Sequence, residues 1–312
     1  MRVGAMPPLS LCAGEGGSGG EGVRGETMKI AKTTVFVLGD PPPPGPVDER
    51  IEALAFLRIE TDEGIGGLSE IFAVPPGVAR AVLDGPDSFF GRLLRDRGYR
   101  AVKVEPMESA PETIVELARL ARAELGPDRL LCVDVGYLWN DVGTALRVAE
   151  RLAEHDVFFL ETPFPVDALD AYRRLSAGTR LRIAAGEHTV TRWEFLDLMD
   201  WGGVTVAQPY MTTVGGLSEA KRVVDLAQPR GVLVCPGNWS TGVLGAATVH
   251  LAAYSPITPI FEFVAPEAYW SPLRRAIAEV SLPVVDGAIQ LPTAAGIGVD
   301  LPDDLVAHFR VG

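Results

Sequence analysis

Three acidic residues stand at or next to the ends of three successive apolar runs: Asp134 in LLCVDV, Glu161 in VFFLE and Glu187 in RIAAGE, spaced 27 and 26 residues apart. A carboxylate at the end of a buried strand is costly unless it is paired or holds a cation. Taken singly, each is explained as well by capping the helix that follows. Three in one register point instead to a hard, oxygen-seeking cation such as Mg²⁺, with water or substrate oxygens completing the shell. Two more chemically active residues sit at run ends, Lys103 in YRAVKVE and Glu262 in PIFEF. A lysine beside such carboxylates can hold or move a proton, neutralise an oxyanion, or pair with one of them.

The elements that must position these residues follow a regular order from residue 98 onward. Short β-branched or aromatic runs (99–105, 130–135, 157–161, 182–187, 204–208, 231–236 and 259–263) alternate with amphipathic patterns such as PETIVELARLARAEL, VGTALRVAERLAEH and GLSEAKRVVDLAQ. Each repeat has the length of one βα unit, and seven in succession argue for a TIM-type barrel over an open doubly wound sheet. In a barrel the three acids point together into the C-terminal mouth. Before residue 98 the pattern is strand-rich: IAKTTVFVL, IEALAFLRIET and GIGGLSEIF read as a small antiparallel meander, and 76–97 as two short helical segments broken at Gly85-Pro86. Residues 1–27 are rich in Gly and Ser and read as a disordered tail. The resulting division is a tail at 1–27, a small α+β unit at 28–97, a barrel at 98–285 and a C-terminal segment at 286–312.

The chain has 28 Lys plus Arg against 41 Asp plus Glu, a net charge of −13. That balance repels a phosphate backbone and argues against nucleic acid as a partner. No apolar run reaches the roughly 18 residues of a membrane helix. Cys12, Cys132 and Cys235 are odd in number and form no CxxC pair, which supports neither a disulfide framework nor a cysteine zinc site and fits a reducing cytoplasm.

The segments LRIETDEGIGGLSE, GYRAVKVE, LCVDVG, FFLETPFP, AAGEHTVTRWEF, QPYMTTVGGLSEAKRV and DGAIQLPTAAGIGVDLP together resemble the enolase superfamily, specifically its mandelate racemase and muconate lactonizing enzyme family. The resemblance implies a modified (β/α)7β TIM barrel behind an α+β capping domain, with the C-terminal segment packing back on the cap. It also implies Mg²⁺ held by Asp134, Glu161 and Glu187, and abstraction of the proton α to a carboxylate through an enediolate. Between Glu70 and Lys103 the chain is too short for the family's usual helical cap and first barrel strand, so the cap reads as truncated and the barrel as seven-stranded. An open barrel covered by a homo-oligomeric partner is one consequence.

The family's usual acids and bases are mostly replaced. Where a K-x-K pair is common the chain has Lys103-Val104-Glu105; Gly136 stands two residues after the first ligand; the sixth run ends Gln208-Pro209-Tyr210 and the seventh Pro236-Gly237-Asn238. The His–Asp dyad of the racemase type is absent. Lys103 and Tyr210 are therefore the candidates for proton transfer, and Glu105, His188, Asn238 and Glu262 for substrate contact. In a continuing strand His188 points away from Glu187. Trp139 and Trp239 are candidate pocket walls, while His155, His250 and His308 are given no function. The reading this supports is a Mg²⁺-dependent sugar-acid dehydratase acting on a small carboxylate. Its competitors are a family member that binds metal and carboxylate without turnover, and a metal-dependent aldolase.

Overall fold

Alternation along the strands decides what reaches the middle of the molecule. The computed structural model describes residues 30–39, 53–61, 66–71, 98–105, 110–264 and 271–310. Its main sheet has six parallel strands in sequence order, β4 (Ala101–Val104), β5 (Leu130–Asp134), β6 (Val157–Glu161), β7 (Arg182–Ala185), β8 (Val206–Ala207) and β9 (Leu233–Val234). One set of alternate residues, including Leu131, Val133, Leu160 and Ile183, packs against Ile114, Ala118, Val148 and Leu152 of the surrounding helices. The other set, Cys132, Phe159, Ala184, Val206 and Cys235, forms a separate buried cluster with Ile260 against it. Asp134 and Glu161 continue that second set two residues further along, so they rise from the inner core into the mouth.

Three of the barrel helices begin at a side-chain cap. The helix Val142–Ala153 starts at Asp141, whose carboxylate accepts from the amides of Gly143 and Thr144; Arg192–Asp200 starts at Thr191, and Gly242–Tyr254 at Thr241. Pro111 opens Pro111–Leu125 at a position whose N–H has no helical partner. The helices Leu169–Gly178, Met211–Val214 and Leu217–Ala227 complete the series to β9.

The expected seventh strand is not a strand. Residues 257–262 run beside β9 with two backbone bonds, Val234 N to Ile257 O at 3.0 Å and Glu262 N to Pro236 O at 3.1 Å. Pro256 and Pro259 have no N–H to donate, which prevents a regular ladder. The segment still takes the seventh place in the ring. Ile260 packs into the inner cluster, Glu262 reaches Lys103 of β4 at 2.8 Å, and the Phe263 ring lies 6.4 Å from that of Tyr99. The segment thus bridges from β9 toward β4.

β1 (Ile30–Gly39), β2 (Ala53–Thr61) and β3 (Gly66–Ile71) form the expected antiparallel meander in the order β1-β2-β3. β3 approaches the helices Gly242–Tyr254 and Met211–Val214, and the helix Asp303–Phe309 approaches β1. The tail at 1–27 and the helical pattern at 76–97 lie outside the described residues.

Candidate active site

Lys103 is the centre of the mouth. Its Nζ donates to Asp134 Oδ2 at 3.0 Å and Glu161 Oε1 at 2.7 Å, and pairs with Glu262 Oε1 at 2.8 Å. Burial works to lower its pKa, but the three carboxylates outweigh burial and raise it well above the ordinary lysine value. Lys103 is therefore a fixed ammonium.

The carboxylates around it are held from behind. Asp134 Oδ1 accepts from Thr162 Oγ1 at 2.6 Å and from the Gly136 amide at 3.0 Å. Burial pushes Asp134 up, yet the Lys103 charge and these bonds leave it below the usual carboxylate range. Thr162 has φ of +46°, an uncommon conformation for a β-branched residue, and Gly136, Tyr137 and Gly186 also have positive φ. Every one of these lies within three residues of a carboxylate at the mouth, where backbone strain is a recognised companion of function. Thr162 and Tyr137 went unnoticed in the sequence, and Gly136 was read there only as a departure from the family's pattern; the only cue to Thr162 is its place directly after a strand-end acid.

Glu262 has both oxygens engaged. Oε2 accepts from Tyr210 Oη at 2.6 Å and from the Asn238 amide at 2.7 Å, while Trp239 N donates to Tyr210 Oη at 3.3 Å. Burial, then the Glu262 charge, push the Tyr210 phenol well above its ordinary pKa. Its ring fills the space beside Gly237, where an added Cβ meets Tyr210 Cε2 at 1.4 Å. Asn238 contributes through its backbone, and its buried Oδ1 has no hydrogen-bond partner.

His188 departs from the expected direction. β7 ends at Ala185 and Gly186 has φ of +122°, so strand alternation stops before Glu187. His188 Nε2 consequently lies 3.7 Å from Glu187 Oε1, and its ring stacks on Tyr137 at 5.5 Å. Trp139 is buried with an unpartnered Nε1, whereas Trp239 is exposed.

Three carboxylates, Asp134, Glu161 and Glu262, thus hold the one ammonium, and Glu105 and Glu187 feel its charge from further off. Among the described residues no group of three His, Cys, Asp or Glu is spaced as a ready metal cluster; the Lys103 ammonium lies between Asp134 and Glu161. The donor chemistry nonetheless fits a divalent cation. Glu161 Oε2 is buried without a partner, and burial together with the charge of Asp134 raises both Glu161 and Glu187. Glu105 is pushed up to about 7, first by burial and then by the Asp134 charge. Each shift comes first from burial and then from neighbouring negative charge that Lys103 only partly offsets.

A pH dependence follows. A carboxyl whose folded pKa is raised lends stability at low pH and loses it as pH rises through that pKa, here the window from the ordinary carboxylate value up to about 7 for Glu105. Asp134, being lowered, acts only below that window. Metal-free protein is expected to melt at lower temperature at about pH 7.5 than at about pH 5.5, and saturating Mg²⁺ is expected to shrink the difference, as scanning calorimetry can measure.

Residues 89–305 match a family model described as enolase C-terminal domain-like. The chain is 30% identical over 225 residues to D-galactarolactone cycloisomerase of Agrobacterium fabrum, covering 70% of this chain and 58% of that protein. It is 26% identical over 213 residues to arabinonate dehydratase of Saccharolobus solfataricus, covering 68% and 56%. The chain therefore spans less than two thirds of these curated relatives. Among solved structures, an enolase superfamily member from Polaromonas sp. JS666 superposes with a TM-score of 0.77 at 21% identity, over 91% of this chain and 98% of that one. The 3,6-anhydro-D-galactonate cycloisomerase from Zobellia galactanivorans gives 0.75 at 20%, over 91% and 100%. The succession of parallel βα units and the matched family model lead to one assignment: this chain belongs to the enolase C-terminal domain-like family.

Proposed function

We propose that this chain is the barrel of a Mg²⁺-dependent dehydratase or cycloisomerase acting on sugar acids, with Asp134, Glu161 and Glu187 as the metal-binding carboxylates. The observation that carries this reading is the excess of five carboxylates over one ammonium at the C-terminal end of a parallel barrel, where such folds place their chemistry. The names of the relatives, a galactarolactone cycloisomerase and an arabinonate dehydratase among them, favour a polyhydroxy carboxylate as substrate. Bound Mg²⁺ would supply the positive charge that makes a proton α to a carboxylate removable. Lys103, fixed by three ion pairs, presents its ammonium to the same developing charge. Tyr210 and the Asn238 amide hold Glu262, and through it Lys103, in place.

The test is to incubate the protein and Mg²⁺ in D₂O with D-gluconate, D-galactonate, D-xylonate and arabinonate. The expected result is α-deuterium incorporation or a 2-keto product for at least one acid. Neither signal from any of them, with Mg²⁺ still bound, overturns the reading. Glu161→Gln is expected to weaken Mg²⁺ binding by more than about tenfold, the lower bound set by disturbing even an outer-shell partner. Titration calorimetry measures it, and unchanged affinity removes Glu161 from the ligand set.

A further inference from the structure

We infer that Gln208 reads a substrate hydroxyl at the mouth, accepting its hydrogen bond on the side-chain amide oxygen and so favouring polyhydroxy acids over their deoxy analogues. This rests on the reading above and deepens it by naming a residue that determines specificity.

Gln208 stands in the same layer as the carboxylates. The inner cluster of the barrel contains Cys132, Phe159 and Val206, and Asp134, Glu161 and Gln208 each lie two residues beyond one of these. Val206 faces that inner cluster and Ala207 the helices, so alternation returns Gln208 to the inside. The ladder reaches this far, since Gln208 N donates to Ala185 O at 3.1 Å.

Its neighbours in the layer explain why the amide is alone. Gly186 follows β7 and Gly237 follows β9, and neither carries a side chain that could meet it. The places where their Cβ atoms would stand are taken by the rings of Phe195 and Tyr210. Phe195 has no polar atom on its ring, and the Tyr210 hydroxyl is committed to Glu262. Gln208 is 4% exposed, and its Oε1 is buried without a hydrogen-bond partner. An unpaired buried acceptor destabilises the free protein, whereas an apolar side chain of the same shape does not.

The unpaired atom is an acceptor, and that specifies the group it suits. A substrate carboxylate has no hydrogen to give and is drawn to the positive charges of the mouth, Lys103 and the Mg²⁺ proposed there. The hydroxyls along a sugar acid are neutral and can donate. The terminal torsion of glutamine is broad, so turning the oxygen toward the mouth costs little. The NH₂ end of the same amide is then free to donate to a second hydroxyl.

The experiment compares wild type and Q208M with Mg²⁺ on whichever of the four acids reacts fastest and on each of its monodeoxy analogues beyond C3, reading kcat/KM. In the wild type one analogue is expected to fall about tenfold or more below the parent acid, because it leaves the buried acceptor unpaired. In Q208M the two are expected to agree within about threefold, since methionine offers both the same apolar contact. A residue with a merely structural role lowers both acids alike and keeps their ratio. The melting temperature of Q208M without substrate is expected to equal or exceed that of the wild type. A fall of more than about 4 °C means that the amide supports the fold, and overturns the inference. So does discrimination that survives in Q208M, or a wild type that treats every analogue as it treats the parent; these leave the metal-dependent reading standing. Failure of the wild type to act on any of the four acids overturns both.

Discussion

Lys103→Met is expected to destabilise the chain by about 3–5 kcal/mol, the range for removing one partner of a buried ion pair. An exposed pair contributes only about 0–1 kcal/mol, so burial decides which figure applies. The side chains of Asp134 and Glu161 are 6% and 1% exposed and that of Lys103 22%, and both carboxylates lean on this one ammonium. Methionine keeps the length of the stem, so the loss is one of charge more than of packing. Glu262 loses the same counterion while Tyr210 and the Asn238 amide continue to donate to it. Urea unfolding measures the change, and a loss below about 1 kcal/mol means that Lys103 is not the counterion of the mouth. A second readout separates charge from packing: the mouth then has one cation fewer, so Mg²⁺ is expected to raise the melting temperature of the variant more than that of the wild type.

Gly237→Ala is the second large effect. The new methyl carbon falls 1.4 Å from Tyr210 Cε2, far inside van der Waals contact, so ring or backbone must move. The ring resists. Its hydroxyl is bonded to Glu262, and its body belongs to the buried cluster that includes Phe195, Met211 and Leu244. Overpacking of this kind costs about 1–3 kcal/mol, occasionally more. The cause is checked by a double-mutant cycle with Tyr210→Ala. Without the ring, Gly237→Ala is expected to be close to neutral, giving a coupling of about 1–3 kcal/mol between the two positions. A cost that is the same in both backgrounds means that the glycine is required for its own backbone and not for the tyrosine.

Much of the fold was legible in the chain. The period of the apolar runs and the acids at strand ends are local features, and local sequence dictates them. The seventh strand misled because PIFEF has the composition of a strand, while Pro256 and Pro259 remove the donors that a ladder requires. His188 misled because strand alternation was extended across Gly186, whose positive φ ends it.

The sequence by itself determined the barrel, the order of its units and the set of carboxylates that enter the mouth, because a two-residue period and a repeated βα length are written into neighbouring residues. Only the tertiary structure decided how the unusual residues are matched. Glu105 lies beside Gly136, and Tyr210 beside Gly237. In the sequence each of these reads as a separate departure from the family's pattern. In space each larger side chain occupies room that a glycine on another strand leaves open, a complementarity between positions 31 and 27 residues apart. Packing density enforces such matching across strands, and no local preference of either residue expresses it.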